Sequence, residues 1–262
     1  MVPGGLSAAA PSMTLMRVTN AAGPATAGPA GGTAWDALRA RARAATAGLP
    51  APPEPGPGVC VSCRGPLRRG HARCFQCGLH AESAPGMLAD VVAPAAWAPK
   101  GSPLARDLWL YKSALPGARE AGAGLRALLL VFLHDHGERV WRQAGMATPT
   151  LACVVPSSRG RPGPHPLQAL LAGFLVLPWT VLRTQPGADL WARGLDPGRF
   201  RAPGPLTGAA VLLLDDTWTS GGSAQSAAVA LKHAGAGPVA TVVLGRHVPA
   251  LTCAPPGQRS IG

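Results

Sequence analysis

The sequence predicts an α/β protein in which a parallel sheet is flanked by helices and preceded by a small cysteine-rich module. Residues 211–214 read VLLL, an apolar run without polar alternation that is typical of a strand covered on both faces. Similar short apolar runs alternate with helical patterns across residues 100–248, and this alternation favours a parallel sheet. Two closely spaced Cys-x2-Cys pairs lie upstream of this region. A chain of 262 residues is long enough for one such domain and a small module.

The chain divides into four regions. Residues 1–57 are rich in proline, glycine and alanine, and we expect them to be mostly disordered apart from a short helix at residues 33–47. A compact cysteine module covers residues 58–82. The α/β domain covers residues 100–248, and residues 249–262 form a loose tail.

Local signals predict the elements of the chain in order. Ser102 followed by Pro103 is typical of a helix start, with the Ser as N-cap and the Pro at the first helical position. The irregular stretch at residues 185–206 is long for a connection inside a compact domain, which indicates a functional role. The remaining expected strands cover residues 88–92, 151–155, 180–183, 211–214 and 239–244, and the remaining helices cover residues 118–143, 165–175 and 223–234.

The most informative stretch is residues 211–223, which read VLLLDDTWTSGGS. The predicted strand is followed at once by Asp215 and Asp216, then by a loop of small and hydroxyl residues, and then by a helix. The N-terminus of a helix presents unsatisfied N–H groups and a positive dipole end, so it can hold a phosphate. Glycines let the backbone approach the anion, and Thr and Ser hydroxyls add donors.

The two carboxylates need a different role, because they would repel a phosphate. Accepting hydrogen bonds from the 2′,3′-diol of a ribose is one such role, and holding Mg²⁺ directly or through water is another. A ribose 5-phosphate unit therefore satisfies both halves of the motif. The alternative is an ordinary strand-to-helix turn with a polar cap and no ligand.

These 13 residues resemble the phosphoribosyl pyrophosphate (PRPP) motif of type I phosphoribosyltransferases. Further segments resemble the ComF-type branch of that family, and the resemblance covers roughly residues 58–248. The segments are LWLYK at residues 108–112, VVPSSR at residues 154–159, RTQ at residues 183–185, RF at residues 199–200, and the upstream cysteines. The resemblance implies a type I phosphoribosyltransferase-like parallel sheet flanked by helices, with a small zinc-ribbon-like module on its N-terminal side.

The resemblance also implies a reaction and the residues that serve it. Pyrophosphate is displaced from ribose C1 of PRPP by a nitrogen nucleophile, and Mg²⁺ accompanies the PRPP. By this resemblance, Asp215 and Asp216 are expected to act in catalysis by holding the ribose diol. The expected PRPP-binding residues are Thr217, Thr219, Ser220, Gly221, Gly222 and Ser223 around the 5′-phosphate, Ser157, Ser158 and Arg159 in the pyrophosphate loop, and Lys112 and Arg183 for further phosphate contacts.

The cysteines predict a metal site. Two Cys-x2-Cys pairs separated by ten residues contain Cys60, Cys63, Cys74 and Cys77. Four thiolates on two knuckles make a tetrahedral Zn²⁺ site with no open position for water, so we expect a structural zinc. Two disulfides or a redox pair are the alternatives. We expect His71 and His80 to be exposed loop residues, although either could replace a Cys ligand, and we expect Cys153 to be a buried core residue.

The chain is strongly basic, with 24 Lys and Arg against 12 Asp and Glu and a net charge of +12. Such a balance suits anionic ligands, either PRPP or nucleic acid. Nucleic acid has little further support, because the chain has one Tyr and four Phe and no basic run interleaved with aromatics. The first residues lack a signal-peptide pattern and no apolar run is long enough to span a bilayer, so we expect a soluble cytoplasmic protein without a membrane partner.

Three classes of function follow from these patterns. The first is a PRPP-dependent phosphoribosyltransferase whose acceptor no residue pattern identifies. The second is a non-catalytic protein of the same fold, either a sensor of PRPP or nucleotides or a DNA-uptake accessory protein of the competence type. The third is a structural adaptor that binds neither ligand. Trp218 stands where the family motif has an aliphatic residue, and we expect its ring to pack under the loop.

Overall fold

The computed structural model describes residues 31–67, 70–157, 163–189 and 191–250. Its helices are α1 (Gly31–Ala45), α2 (Phe75–Ser83), α3 (Pro103–Leu110), α4 (Ala118–Gln143), α5 (Pro166–Leu171) and α6 (Gly222–His233). Its strands are β1 (Val91–Pro99), β2 (Leu151–Val154), β3 (Trp179–Thr180), β4 (Arg183–Thr184), β5 (Phe200–Arg201), β6 (Val211–Trp218) and β7 (Val239–Val248). The disorder expected for residues 1–30, most of the expected tail (residues 251–262) and the predicted site residues Ser158 and Arg159 lie outside the described residues.

Five of the strands form one parallel sheet in the order β1-β7-β6-β2-β3. Each neighbouring pair in that sheet runs parallel. The prediction of an α/β protein with a parallel sheet and flanking helices is therefore confirmed. β4 and β5 pair separately as a two-stranded antiparallel ribbon, in which Arg183 lies opposite Arg201.

The sheet separates two apolar layers. Along β6, Leu212 and Leu214 pack into the layer built by α3, α4 and α5, whereas Val211 and Leu213 pack into the layer that contains α6. All four side chains are fully buried. The run VLLL lacks polar alternation for this reason, because both faces of the strand are covered. Three of the four clustered cysteines also belong to the layer on the α6 side.

Two predicted helices form as expected. The hydroxyl of Ser102 accepts a hydrogen bond from the N–H of Ala105 at 3.2 Å, and Pro103 occupies the first turn of α3. The bounds of α4 coincide with the predicted residues 118–143. α1 packs along α4 on the outside of the sheet, where Arg39 donates two hydrogen bonds of 2.8 and 3.0 Å to the carboxylate of Asp135.

The first strand of the sheet is longer than the sequence predicts. β1 covers Val91–Pro99 rather than residues 88–92, although it contains Pro94 and Pro99. Proline cannot donate a hydrogen bond to a ladder, which argues against a central strand. β1 tolerates both prolines because it lies at the edge of the sheet, where β7 is its partner.

The strand of the sequence motif also extends further than predicted. β6 continues past Leu214 to Trp218, so Asp215 and Asp216 lie within the strand rather than after it. β7 runs alongside as far as Val248, and the two strands stay in register to the end of β6. The extension follows from the pairing of β6 with β7, which the sequence of either segment alone does not reveal.

Two shorter elements differ from the prediction as well. The helix expected at residues 165–175 ends at Leu171, because the chain turns at Gly173 with a φ of 78°. The strand expected at residues 180–183 divides between β3 in the main sheet and β4 in the ribbon. Within the described part of the chain, no helix combines the length and the apolarity needed to cross a bilayer.

Candidate functional site

The loop between β6 and α6 is shaped by Trp218 and Gly221. Trp218 is 1% exposed and belongs to the buried layer on the α6 side of the sheet. Gly221 has a φ of 84°, and a Cβ at this position would lie 2.1 Å from the Trp218 ring. Glycine is the residue that combines this backbone conformation with this clearance. The interpretation that Trp218 packs beneath the loop is confirmed.

The loop presents backbone donors at the start of α6. The N–H groups of Ser220, Gly221 and Ser223 have no hydrogen-bond acceptor among the described residues. α6 has 12 residues, and its aligned peptide dipoles place partial positive charge at this end. Thr219 is exposed, so its hydroxyl is accessible to a ligand. Unpaired N–H groups and a positive dipole end are the features by which a helix N-terminus can hold an anion.

A second segment braces the start of α6. Arg199 is fully buried, and its guanidinium donates to the Ser223 hydroxyl at 3.1 Å. The same guanidinium donates to two carbonyls of the preceding segment at 3.0 and 3.1 Å. The Ser220 hydroxyl donates to the carbonyl of Arg193 at 2.6 Å. Ser223 accepts in this network, so its own hydroxyl proton is left for a ligand.

The same segment explains the second glycine of the loop. A Cβ at Gly222 would lie 2.4 Å from the carbonyl oxygens of both Arg193 and Gly194, so this close approach requires glycine. Sequence reasoning missed the bracing role of Arg199, because residues 185–206 carry no regular pattern. The one available signal was the RF pair at residues 199–200 in the family resemblance.

Asp216 is buried and bonded by two groups from the end of α3. The hydroxyl of Tyr111 donates to Asp216 Oδ2 at 2.7 Å, and the ammonium of Lys112 lies 2.7 Å from the same oxygen. Burial alone would raise the pKa of Asp216, but the charge and hydrogen bond of Lys112 and the bond from Tyr111 outweigh it and lower that pKa. Asp216 is therefore a fixed negative charge, and the structure brings the predicted Lys112 to it.

Asp215 is in a different electrostatic state from its neighbour. Desolvation by burial and the nearby charge of Asp216 raise the pKa of Asp215 to about 7, and Lys112 offsets part of that effect. Because this pKa lies near neutrality, a cation that approaches Asp215 would favour its ionised form. Two adjacent carboxyls with divergent pKa values are typical of functional sites.

Two further predicted residues lie near the acids. Thr217 is within β6 and pairs in register with Gly245 of β7. Ser157 follows β2, which is the strand beside β6, and it lines a cavity of about 430 Å³ together with His165. The charge of His165 is the smallest of the causes that lower the pKa of Asp216.

Arg183 lies elsewhere. It is exposed in β4 and lines a groove of about 1070 Å³ with Arg201 and His233. His233 is the last residue of α6, so this groove lies at the end of the helix opposite to the loop. The structure therefore does not bring Arg183 to the loop residues, and its contact with a phosphate stays a prediction.

The four clustered cysteines fit a tetrahedral metal. Their sulfur atoms all lie within 4.8 Å of one another, and Cys63 Sγ is 3.8 Å from Cys74 Sγ. Four ligands at a Zn–S distance of about 2.3 Å have sulfurs about 3.8 Å apart, whereas a disulfide needs about 2.05 Å. Hydrogen bonds from the other three thiols, above all Cys63, lower the pKa of Cys60, whereas hydrogen bonds from the other three cysteines, above all Cys60, raise the pKa of Cys77. The cluster is compatible with a structural zinc.

The two candidate substitute ligands lie outside the cluster. His71 is exposed, as expected. The expectation of an exposed loop position is wrong for His80, which is 2% exposed and belongs to α2. Its burial follows from the helix that begins directly after Cys74, and this burial lowers the pKa of His80. Neither ring nitrogen of His80 has a hydrogen-bond partner within the described ranges.

Arg246 connects the cysteine cluster to the loop, and sequence reasoning missed it. Its guanidinium donates to the carbonyls of Trp218 and Thr219 at 3.3 and 3.1 Å and to the carbonyl of His247. The second terminal nitrogen donates to Cys63 Sγ at 3.6 Å. Within the module, the guanidinium of Arg64 pairs with the carboxylate of Glu54 at 3.6 Å. Arg246 and Cys63 are 183 positions apart in the sequence, so no local sequence pattern reveals their contact.

No protein-family model matches the chain, and a search of curated proteins finds no match.

We predict that Gly221→Ala destabilises the protein by about 3 kcal/mol, because a left-handed backbone cost adds to displacement of the Trp218 ring. Gly173 has a similar φ of 78° but open space around it, so Gly173→Ala should cost about 1 kcal/mol. Urea unfolding of both variants measures the difference. Equal losses would show that Trp218 does not restrict position 221.

We predict that the purified chain carries about one zinc ion, in keeping with a single four-cysteine site. Cys63→Ser should lower the bound zinc severalfold, because the substitution removes one of four thiolates. Cys153→Ser is the matched control, since Cys153 is fully buried in β2 and burial raises its thiol pKa to about 12. Elemental analysis by mass spectrometry gives the stoichiometry. Zinc retained at the wild-type level in Cys63→Ser would contradict the assignment.

Proposed function

We propose that the chain binds PRPP with Mg²⁺ and transfers its phosphoribosyl group to a nitrogen nucleophile, as a phosphoribosyltransferase of the ComF type. The observation that carries this proposal is the combination, in one strand-loop-helix unit, of a helix N-terminus with unpaired backbone donors and a pair of acids with divergent pKa values. An anion site at the start of α6 and a diol site at the acidic pair would match the two ends of a ribose 5-phosphate.

The 5′-phosphate is assigned to the start of α6. The backbone N–H groups at residues 220, 221 and 223 are its donors, supported by the helix dipole. The exposed hydroxyl of Thr219 and the hydroxyl proton of Ser223 add side-chain donors. Gly221 and Gly222 fit the close packing of the loop on Trp218 and on the Arg193 and Gly194 carbonyls, and this packing fixes the backbone that carries the donors.

The ribose is assigned to the acidic pair. Asp216 is held in place by Tyr111 and Lys112, so it is a preorganised acceptor for a ribose hydroxyl. Asp215, whose pKa is about 7, can accept from the second hydroxyl or hold Mg²⁺ directly or through water. Bound Mg²⁺ would neutralise negative charge on the diphosphate of PRPP.

The reaction breaks the bond between ribose C1 and the pyrophosphate oxygen and forms a bond between C1 and the nucleophile nitrogen. Pyrophosphate leaves with the bonding electron pair, and cationic groups near it stabilise the charge that develops. Lys112, at the end of α3, and Ser157, after β2, are the described residues that we assign to this end of PRPP. Ser158 and Arg159 continue the same segment.

We expect PRPP with Mg²⁺ to bind the wild-type chain and to raise its melting temperature, because a ligand that binds the folded state stabilises it. Asp215→Asn combined with Asp216→Asn should weaken binding at least tenfold, since both diol acceptors lose their charge. Isothermal titration measures affinity, and pyrophosphate release with a panel of nitrogenous bases and ammonia measures transfer. Asp107→Asn, at an acid outside the motif, is the control.

The outcomes separate the classes of function. Binding with pyrophosphate release supports a transferase, and the base that releases it identifies the acceptor. Binding that depends on the acids without release with any nucleophile in the panel indicates a sensor of the same fold. Failure of PRPP to bind the wild-type chain would contradict the proposal.

We expect the affinity for PRPP with Mg²⁺ to rise about tenfold between pH 6 and pH 8, as Asp215 ionises around its pKa of about 7. Asp215→Asn should remove most of that pH dependence, and the part that remains comes from ionisation of the phosphate groups of PRPP itself.

In the absence of ligand, the free energy of unfolding changes with pH in the opposite direction. The folded chain holds the proton on Asp215 to a higher pH than the unfolded chain, so this group's stabilising contribution falls as pH rises from about 4 to about 7. Equal pH profiles of PRPP affinity for the wild type and for Asp215→Asn would overturn the assignment of Asp215 to the ribose.

A further inference from the structure

We propose that Arg246 is a positioning residue that couples metal loading of the cysteine cluster to the shape of the loop that binds phosphate. In this inference, which rests on the proposed function, a metal bound by Cys60, Cys63, Cys74 and Cys77 increases the affinity of the loop for PRPP. The coupling device is a single guanidinium that touches both sites.

The two ends of the guanidinium have different partners. One terminal nitrogen donates to the carbonyls of Trp218 and Thr219, which are the last residue of β6 and the first residue of the loop. The other donates to Cys63 Sγ at 3.6 Å. A planar guanidinium transmits a shift at one end to the other, because its donors have a fixed relative geometry.

The local structure leaves the guanidinium little freedom. A Cβ at Gly65 would lie 2.8 Å from Arg246 Nη2 and 3.3 Å from Cys63 Sγ, so the first cysteine knuckle closes tightly over it. A side chain at position 65 would collide with the Arg246 guanidinium, so glycine suits this position. The loop carbonyls hold one terminal nitrogen, and the knuckle contacts the other.

Metal occupancy changes one of these two sides. A bound metal fixes the position of Cys63 Sγ within the tetrahedron of sulfurs, and this fixes the acceptor for Arg246. When the two knuckles separate, the guanidinium loses that acceptor and the carbonyls of Trp218 and Thr219 lose a fixed donor. The loop then samples more conformations, and phosphate binding must restrict them again.

Such coupling is reciprocal. If the metal raises the affinity for PRPP by a given factor, PRPP raises the affinity for the metal by the same factor. The structure also offers a way to measure the loop without a ligand. The N–H of Gln225 donates to the Gly221 carbonyl at 2.9 Å, so its exchange with solvent reports whether the loop and the first turn of α6 are intact.

The experiment compares full-length chains loaded with zinc and stripped by a chelator. In the wild type we expect zinc removal to raise amide exchange at Gln225 about tenfold and to weaken PRPP binding by a similar factor, within the usual range of coupling energies. Zinc-loaded Arg246→Ala should show the raised exchange already, and zinc removal should add less than about twofold. The N–H of Ala121, which donates to the Gly117 carbonyl at 2.9 Å at the start of α4, is the internal reference.

Two further variants keep the test decisive. Arg246→Lys retains the charge but cannot bridge both partners, so it should behave like Arg246→Ala even where the alanine variant folds poorly. Trp97→Phe removes a different link between the module and the sheet, the hydrogen bond of 3.2 Å from Trp97 Nε1 to the Arg64 carbonyl. It should leave exchange at Gln225 and its zinc dependence at the wild-type level.

The failure of this inference is distinguishable from that of the proposed function. Zinc removal that raises Gln225 exchange equally in the wild type and in Arg246→Ala, or in neither, would overturn the coupling role of Arg246 whether or not PRPP binds. The expected exchange pattern in a chain that does not bind PRPP would support the coupling and contradict the proposed function.

Discussion

The contact between the Trp218 ring and Gly221 is the constraint on which the candidate site depends. The ring is fully enclosed beneath the loop, so the chain above it has room only for a glycine in the left-handed conformation. This conformation ends β6 and starts α6 within three residues, so the unpaired N–H groups of the first helical turn lie directly after the strand. A smaller residue at position 218 would leave a cavity and remove the support for that turn. The large residue in the motif is thus part of the loop architecture.

The acidic pair gains its character from the strand that contains it. Because β6 continues through Asp215 and Asp216, both carboxyls are held by a central strand rather than by a mobile turn. A buried ion pair such as Lys112 with Asp216 is a poor indicator of stability, since desolvation of the two charges offsets their attraction. Its position at the carboxyl end of parallel strands, where ligands bind in open α/β sheets, accounts better for its presence. Burial and the charge on Asp216 raise the pKa of Asp215, so the two acids differ in electrostatic state within one arrangement.

Features encoded in consecutive residues could be predicted from the sequence. The bounds of α4, the Ser102 cap and the strand-loop-helix order around Gly221 follow from local periodicity and turn chemistry. The extent of β1 could not be predicted, because its prolines are acceptable only on an edge strand, and edge position is a property of the whole sheet. The roles of Arg199 and Arg246 were also out of reach, since each depends on partners that folding brings together. The sequence therefore predicts what the site contains better than what holds it in place.

The cysteine module is best understood as part of the layer beneath the loop. A segment of about 25 residues is too short to build a core of its own, and metal binding is the usual substitute. Here Cys60, Cys63 and Cys77 pack in the same buried cluster as Trp218 and the apolar face of α6. A metal that joins the two knuckles would therefore contribute folding free energy to this shared layer, since metal sites rarely persist in unfolded chains. The hydrogen bond from Trp97 to the module adds a second tie to the sheet. Loss of the metal would then weaken the module itself, and its effect would reach the loop through the contact of Arg246 with Cys63 and with the carbonyls of Trp218 and Thr219.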